Sequence, residues 1–210
     1  MLSSITPRQK ANAELFRDNQ AIVVPRLAMP VASGLGLRGL FVVEHWRGND
    51  RFNEYHFRND ITNEGRNKLL NVMFDAGTQV TTWYLGIINN VGFTALANND
   101  IYDDIDQAGN GWGEFKSYTD ANNSDSTTTR PVWQTDPAAS QSISNTTTSI
   151  YDITVDGAVK GVFIVGGGTS PELKGNHTVG STLWATALFS VGDVAVKIGE
   201  QLKVTYTVSA

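Results

Sequence analysis

The chain has 210 residues, 40% hydrophobic and 10% aromatic, enough apolar mass for a packed core and too much for a disordered polymer. A net charge of −5, with no basic run interleaved with aromatics, argues against a nucleic-acid partner, and the absence of cysteine excludes disulfides and thiolate zinc. Only 18% of residues are charged, while threonine, asparagine, serine and glycine abound, the composition of β-strands joined by many turns.

Residues 1–38 read as an N-terminal arm. Thr6 as N-cap and Pro7 at the first helical position predict a short helix. The opening MLSSITPRQK lacks the basic-then-apolar order of a signal peptide. In AIVVPRLAMPVASGLGLRGLFVV, Pro25, Arg26, Pro30 and Arg38 interrupt the uncharged run of ~20 residues that a membrane helix needs. The expectation is therefore a protein made in the cytoplasm with no membrane partner. Proline disfavours helix in the residue before it, so 21–36 reads as extended: an edge strand of its own domain, or an arm lying on a partner.

Residues 39–210 read as a β-rich body. GLFVVEHWRG and RFNEYHFRN predict two strands around a Gly-Asn-Asp turn at 48–50. NDITNEGRNKLLNVMFDAG, 59–77, predicts a helix with Thr62 as N-cap and Glu64 in its first turn. Leu69, Leu70, Met73 and Phe74 recur at helical spacing beside Val72, the stripe of a core helix, and Gly77 is placed to end it in a left-handed conformation. TQVTTWYLGIINN is apolar on both faces, which predicts a central strand with this helix over one side. Residues 89–129 look too polar for a core over most of their length, with GEFKSYT as their one strand. From Arg130 the strands become regular: RPVWQ, SIYDITV, an Asp156-Gly157 hairpin signal, AVKGVFIVGGG, STLWATALFS and the alternating QLKVTYTVSA. The fold class expected is mainly β, an antiparallel β-sandwich or jelly-roll-like body with one packed α-helix.

No chemistry stands out. His45, His56 and His177 share no ligand spacing, and HExxH is absent. Asp103, Asp104 and Asp106 resemble the start of a calcium loop. Counted from Asp104, however, the last ligand position falls on Phe115; counted from Asp103, Ile105 and Ala108 occupy a ligand position and the glycine turn. A solvated acidic loop is the expectation. Gly166–Gly168 lack the Gly-Lys-Ser/Thr of a phosphate loop and read as a turn, and no G-x-S-x-G elbow occurs. The expectation is a non-enzyme with no catalytic, cofactor or metal residues.

The order of segments is more telling. Asn59–Leu70, Gly77–Gly86, Gly111–Phe115, Arg130–Trp133 and Gly157–Phe163 together resemble a family of tailed-bacteriophage virion proteins from head gene clusters, similar to capsid decoration or cement proteins. The resemblance covers roughly 39–210. It implies a structural protein on the capsid surface of a virion, bound to the major capsid protein and to itself as a homotrimer. Two alternatives stand beside it. A tail or fibre component would show repeats or a coiled coil, and neither is present. A carbohydrate-binding module would stack sugars on Trp46, Trp83, Trp112, Trp133 or Trp184, with Trp112 in its glycine-rich loop as the best exposed platform.

Overall fold

The computed structural model describes residues 36–177 and 180–210. The expected arm, 1–38, lies outside the described residues except for its last three.

Strands β1 (Arg38–Arg47) and β2 (Asp50–Ile61) form an antiparallel hairpin whose turn places Gly48 at φ +58°, a conformation open to glycine. Along β1, Phe41, Val43 and His45 point inward between exposed or half-exposed neighbours. Strand β2 outruns its partner: Gly39 to Arg47 pair with residues 50–59 of β2, and then Asp60 and Ile61 pair with Thr186 and Ala185 of a strand in the other half of the sheet. One long strand thus carries the sheet round a corner.

The remaining strands are β3 (Trp83–Asn89), β4 (Glu114–Phe115), β5 (Tyr118–Asp120), β6 (Ser142–Ser144), β7 (Ser149–Ile153), β8 (Gly157–Gly166), β9 (Thr182–Leu188), β10 (Val194–Val196) and β11 (Glu200–Ser209). Every pairing is antiparallel, in the order β4-β3-β8-β9-β2-β1-β11-β7-β5, with β10 beside β8 and β6 beside β11. The two ends of that path, β4 and β5, are separated in sequence only by Lys116 and Ser117, so the sheet is nearly closed on itself. The expected mainly β body is therefore present.

Local expectations fare unevenly. RPVWQ is not a strand: Pro131 brings no N–H, and the segment bonds irregularly to both sides, with Leu85 N donating to Pro131 O, Trp133 N to Trp83 O, and Ser149 Oγ to Val132 O. It stitches β3 to the β7 side of the gap. Asp156-Gly157 is not a hairpin either. β7 pairs with β5 and β11 and β8 with β3, β9 and β10, so the dipeptide connects two different parts of the sheet. GEFKSYT divides into β4 and β5. β11 follows its alternation closely, with Leu202, Val204, Tyr206 and Val208 buried between half-exposed residues.

β3 is buried on both faces as expected, but the helix does not cover it. One face, with Leu85 and Ile87, joins the main core of Phe41, Val43, Val162, Ile164, Val204 and Tyr206. The other, with Ile88, joins Phe163, Val165 and Leu183 of β8 and β9, capped by Tyr102, Ile105 and Trp112. Those three caps come from the connection between β3 and β4, where most residues are exposed or half-exposed as its polar sequence leads one to expect and these few are buried.

Helix α1 (Asn63–Phe74) has the predicted N-terminus: Thr62 Oγ1 accepts from Gly65 N at 3.0 Å. Its predicted burial is wrong. Gly65 is its one buried residue, and a Cβ there would lie 2.5 Å from the carbonyl oxygen of Trp184, so the first turn is pressed against β9. Leu70, Met73 and Phe74 are 50%, 59% and 77% exposed, and of the apolar stripe Leu69 and Val72 alone are half-buried. The helix also ends differently. Ala76 (φ +49°) takes the left-handed conformation, whereas Gly77 is required because its N–H donates to Asn71 O at 2.9 Å and leaves no room for a Cβ.

Candidate functional site

The half-buried edge of α1 forms one wall of a groove of about 300 Å³. Its floor is aromatic: Trp83 and Trp184 pack with ring centroids 5.8 Å apart, and Trp133 lies beside them. The indole N–H of Trp133 donates to Tyr206 O at 3.1 Å and that of Trp184 to the Tyr206 hydroxyl at 3.2 Å. With those donors engaged inside the protein, the rings turn apolar surface to the groove. Leu69 and Val72 line it from the helix, Leu37, Ile143 and Val208 from the opposite side. Lys68 and Gln79 are the polar side chains among its described lining residues. The exposed Leu70, Met73 and Phe74 continue the apolar surface along α1. Sequence periodicity found the stripe but assigned it to a core.

The groove gathers three of the five tryptophans considered as stacking platforms. Trp46 stands apart under Lys203 Nζ, 4.0 Å from its ring. Trp112, expected to be the most exposed, is 3% exposed and donates to Asp100 Oδ2 at 2.9 Å. Its glycine-rich setting is a tight turn, not a display loop: a Cβ on Gly111 would lie 2.2 Å from Thr94 Oγ1.

The histidines fall in three unrelated places. His45 is buried, with Nε2 2.8 Å from Glu200 Oε2, and burial lowers its pKa against the raising effect of that carboxylate. Arg47 holds the other oxygen of Glu200 at 2.5 Å. His56 is an exposed partner of Glu54. His177 stands in the β8–β9 connection close to two carboxylates, Asp106 Oδ2 and Glu114 Oε2, at 3.8 Å from each. Gly166–Gly168 form a turn, with Gly167 and Gly168 at positive φ and the carbonyl of Gly167 accepting from Ser181 Oγ.

The acidic loop is not freely solvated. Asp104 Oδ2 accepts from Ile101 N at 2.9 Å, and Asp106 Oδ1 from Glu114 N at 2.8 Å, while Lys116 Nζ sits 2.7 Å from Asp106 Oδ2. These carboxylates bind their own loop. Behind them lies the strongest electrostatic feature of the described residues. Arg130 and Glu114, both wholly buried, form a two-pronged pair at 2.7 and 2.8 Å, and Arg130 also donates to Pro171 O at 2.6 Å. Burial alone would raise the Glu114 carboxyl, but Arg130, with help from Gly175 N, holds it down at about 2. Lys174, part-buried and donating to Tyr118 O at 2.5 Å, is lowered by burial to about 8. Sequence spacing gave no sign of this cluster, because its members are brought together from β4, the β5–β6 connection and the β8–β9 connection.

No protein-family model matches the chain, and no curated protein matches it.

Proposed function

We propose that the chain is a non-enzymatic structural protein of a tailed-bacteriophage virion, a capsid cement protein that docks over joints between major capsid subunits as a homotrimer. The observation that carries the docking part is α1. An amphipathic helix whose apolar stripe runs out of its own body, beside a tryptophan-floored groove, offers an apolar surface of the kind that binds partners. Association through many such modest contacts gains from effective concentration when copies bind side by side. The capsid as partner, and the trimer, rest on the sequence resemblance.

Clustering of Trp83, Trp133 and Trp184 favours carbohydrate binding as the second reading. Sugar hydroxyls need several convergent donors and acceptors, however, and the groove presents Lys68 and Gln79 among apolar walls. An apolar protein segment suits it better.

A density map of the assembled particle tests the proposal. The expected result is this fold seated over capsid-subunit joints in a copy number comparable with the major capsid protein. A few copies at the tail, or none in the particle, would overturn it.

A further inference from the structure

Asp106, Glu114 and His177 each come from a separate segment: the connection after β3, strand β4, and the connection between β8 and β9. Their nearest ligand-type atoms all lie within 4.8 Å of one another. The His177 side chain is only 6% exposed, and its Nε2 has no hydrogen-bond partner. At 3.8 Å from Asp106 Oδ2 and 3.8 Å from Glu114 Oε2, that nitrogen is too far from either for a hydrogen bond. The spacing suits a shared ion instead: a point equidistant from the three atoms lies roughly 2–2.5 Å from each, close to the lengths of metal bonds to imidazole and carboxylate. We propose that Asp106, Glu114 and His177 form a binding site for one first-row divalent transition-metal ion, of the zinc class.

The donor set selects the metal. Imidazole with two carboxylates suits zinc, cobalt or nickel, whereas calcium and magnesium favour shells of oxygen. Three protein ligands leave a fourth position for water. An open cavity of about 420 Å³, lined by Gly109, Gly111 and Trp112 among others, meets the cluster at Asp106.

Neighbouring cations set the strength. Arg130 keeps both oxygens of Glu114, and Gly175 N donates to Oε2 as well, so Glu114 enters the site as a weakened ligand. Lys116 Nζ occupies Asp106 Oδ2 at 2.7 Å, but its side chain is 48% exposed and free to turn to solvent. Lys116 is therefore the group an arriving ion displaces. Arg130 is buried and remains in place. Bound metal would join the β3–β4 connection to the β8–β9 connection, so its role is to fasten two long loops.

Chelator-treated full chain titrated with Zn²⁺ by calorimetry, and with Co²⁺ by visible absorption, tests the site. One ion per chain is expected, with no response to Ca²⁺. His177→Ala should weaken zinc binding at least about tenfold, loss of an inner ligand exceeding the usual effect of losing a supporting one. Lys116→Ala should tighten binding by removing the competing ammonium, and His56→Ala, which alters only the exposed Glu54 pair, should change nothing. The proposal is overturned by absent zinc binding, by His177→Ala binding as wild type, or by Lys116→Ala failing to tighten. The last of these decides the matter even if His177→Ala does not fold, because residue 116 is half-exposed.

Discussion

Helix α1 and the connection from β3 to β4 both lean on β9, by opposite means. The helix makes its contact through one end. Gly65 meets the Trp184 backbone, Glu64 Oε2 accepts from Leu183 N at 2.6 Å and Tyr102 N at 3.0 Å, and the C-terminal half carries its leucine, methionine and phenylalanine into solvent. The connection is written in asparagine, aspartate and glycine, yet it buries Tyr102, Ile105 and Trp112 almost completely. Its carboxylates make that burial tolerable: Asp100 takes the Trp112 indole proton donor, Asp104 and Asp106 take backbone N–H groups, and next to the connection Glu114 of β4 takes Arg130. Apolar content decides neither case. What matters is whether the polar backbone around an apolar side chain can be satisfied once water is gone.

The largest effect should come from breaking the wired loop. Arg130→Met strands the buried Glu114 carboxylate and should cost about 3–5 kcal/mol in urea unfolding. Trp112→Ala should cost a comparable ~3–5 kcal/mol, since it opens a cavity under the loop and leaves Asp100 Oδ2 with Ala97 N in place of two donors. The same pair predicts the acid response. Glu114 titrates at about 2 in the folded chain against an ordinary 4.5, so its contribution is complete above pH 4.5 and is lost as the pH falls toward 2. Urea midpoints measured from pH 5 downward should decline over that window, and a flat profile would contradict the pairing. On the helix the effects should shrink. Thr62→Ala removes the cap and should cost about 1 kcal/mol by thermal melting. Phe74→Ser, at a 77% exposed position, should stay within about 0.5 kcal/mol of wild type. The sequence alone would forecast a ruinous Leu70→Asp; half-exposed Leu70 makes that substitution a mild one.

The legible parts of this fold were those whose signal is local. The β1–β2 turn, the Thr62 cap and the alternation of β11 each depend on neighbours within a few residues, and all three are found. Partnership across the chain was not legible. Asp156-Gly157 carries the chemistry of a hairpin, but the strands on either side have better partners elsewhere. The stripe at 69–74 specifies a face without saying whether the body is broad enough to cover it. For the candidate groove, periodicity located Leu69 and Val72, while Trp83, Trp133 and Trp184 are assembled by the sheet from three distant segments. The Asp106–Glu114–His177 cluster was hidden for the same reason: its ligands span more than seventy residues and follow no motif spacing.

The central claim is that the apolar face of α1 is a docking surface rather than a displaced piece of core. Binding of a Met73→Asp, Phe74→Asp variant to undecorated capsids, compared with wild type by co-sedimentation, tests it most directly. The claim predicts an unchanged circular-dichroism spectrum and melting curve with affinity reduced at least tenfold, ~1.4 kcal/mol. A variant that unfolds would return the helix to the core, and one that is folded and binds as tightly as wild type would show that this face meets no capsid partner.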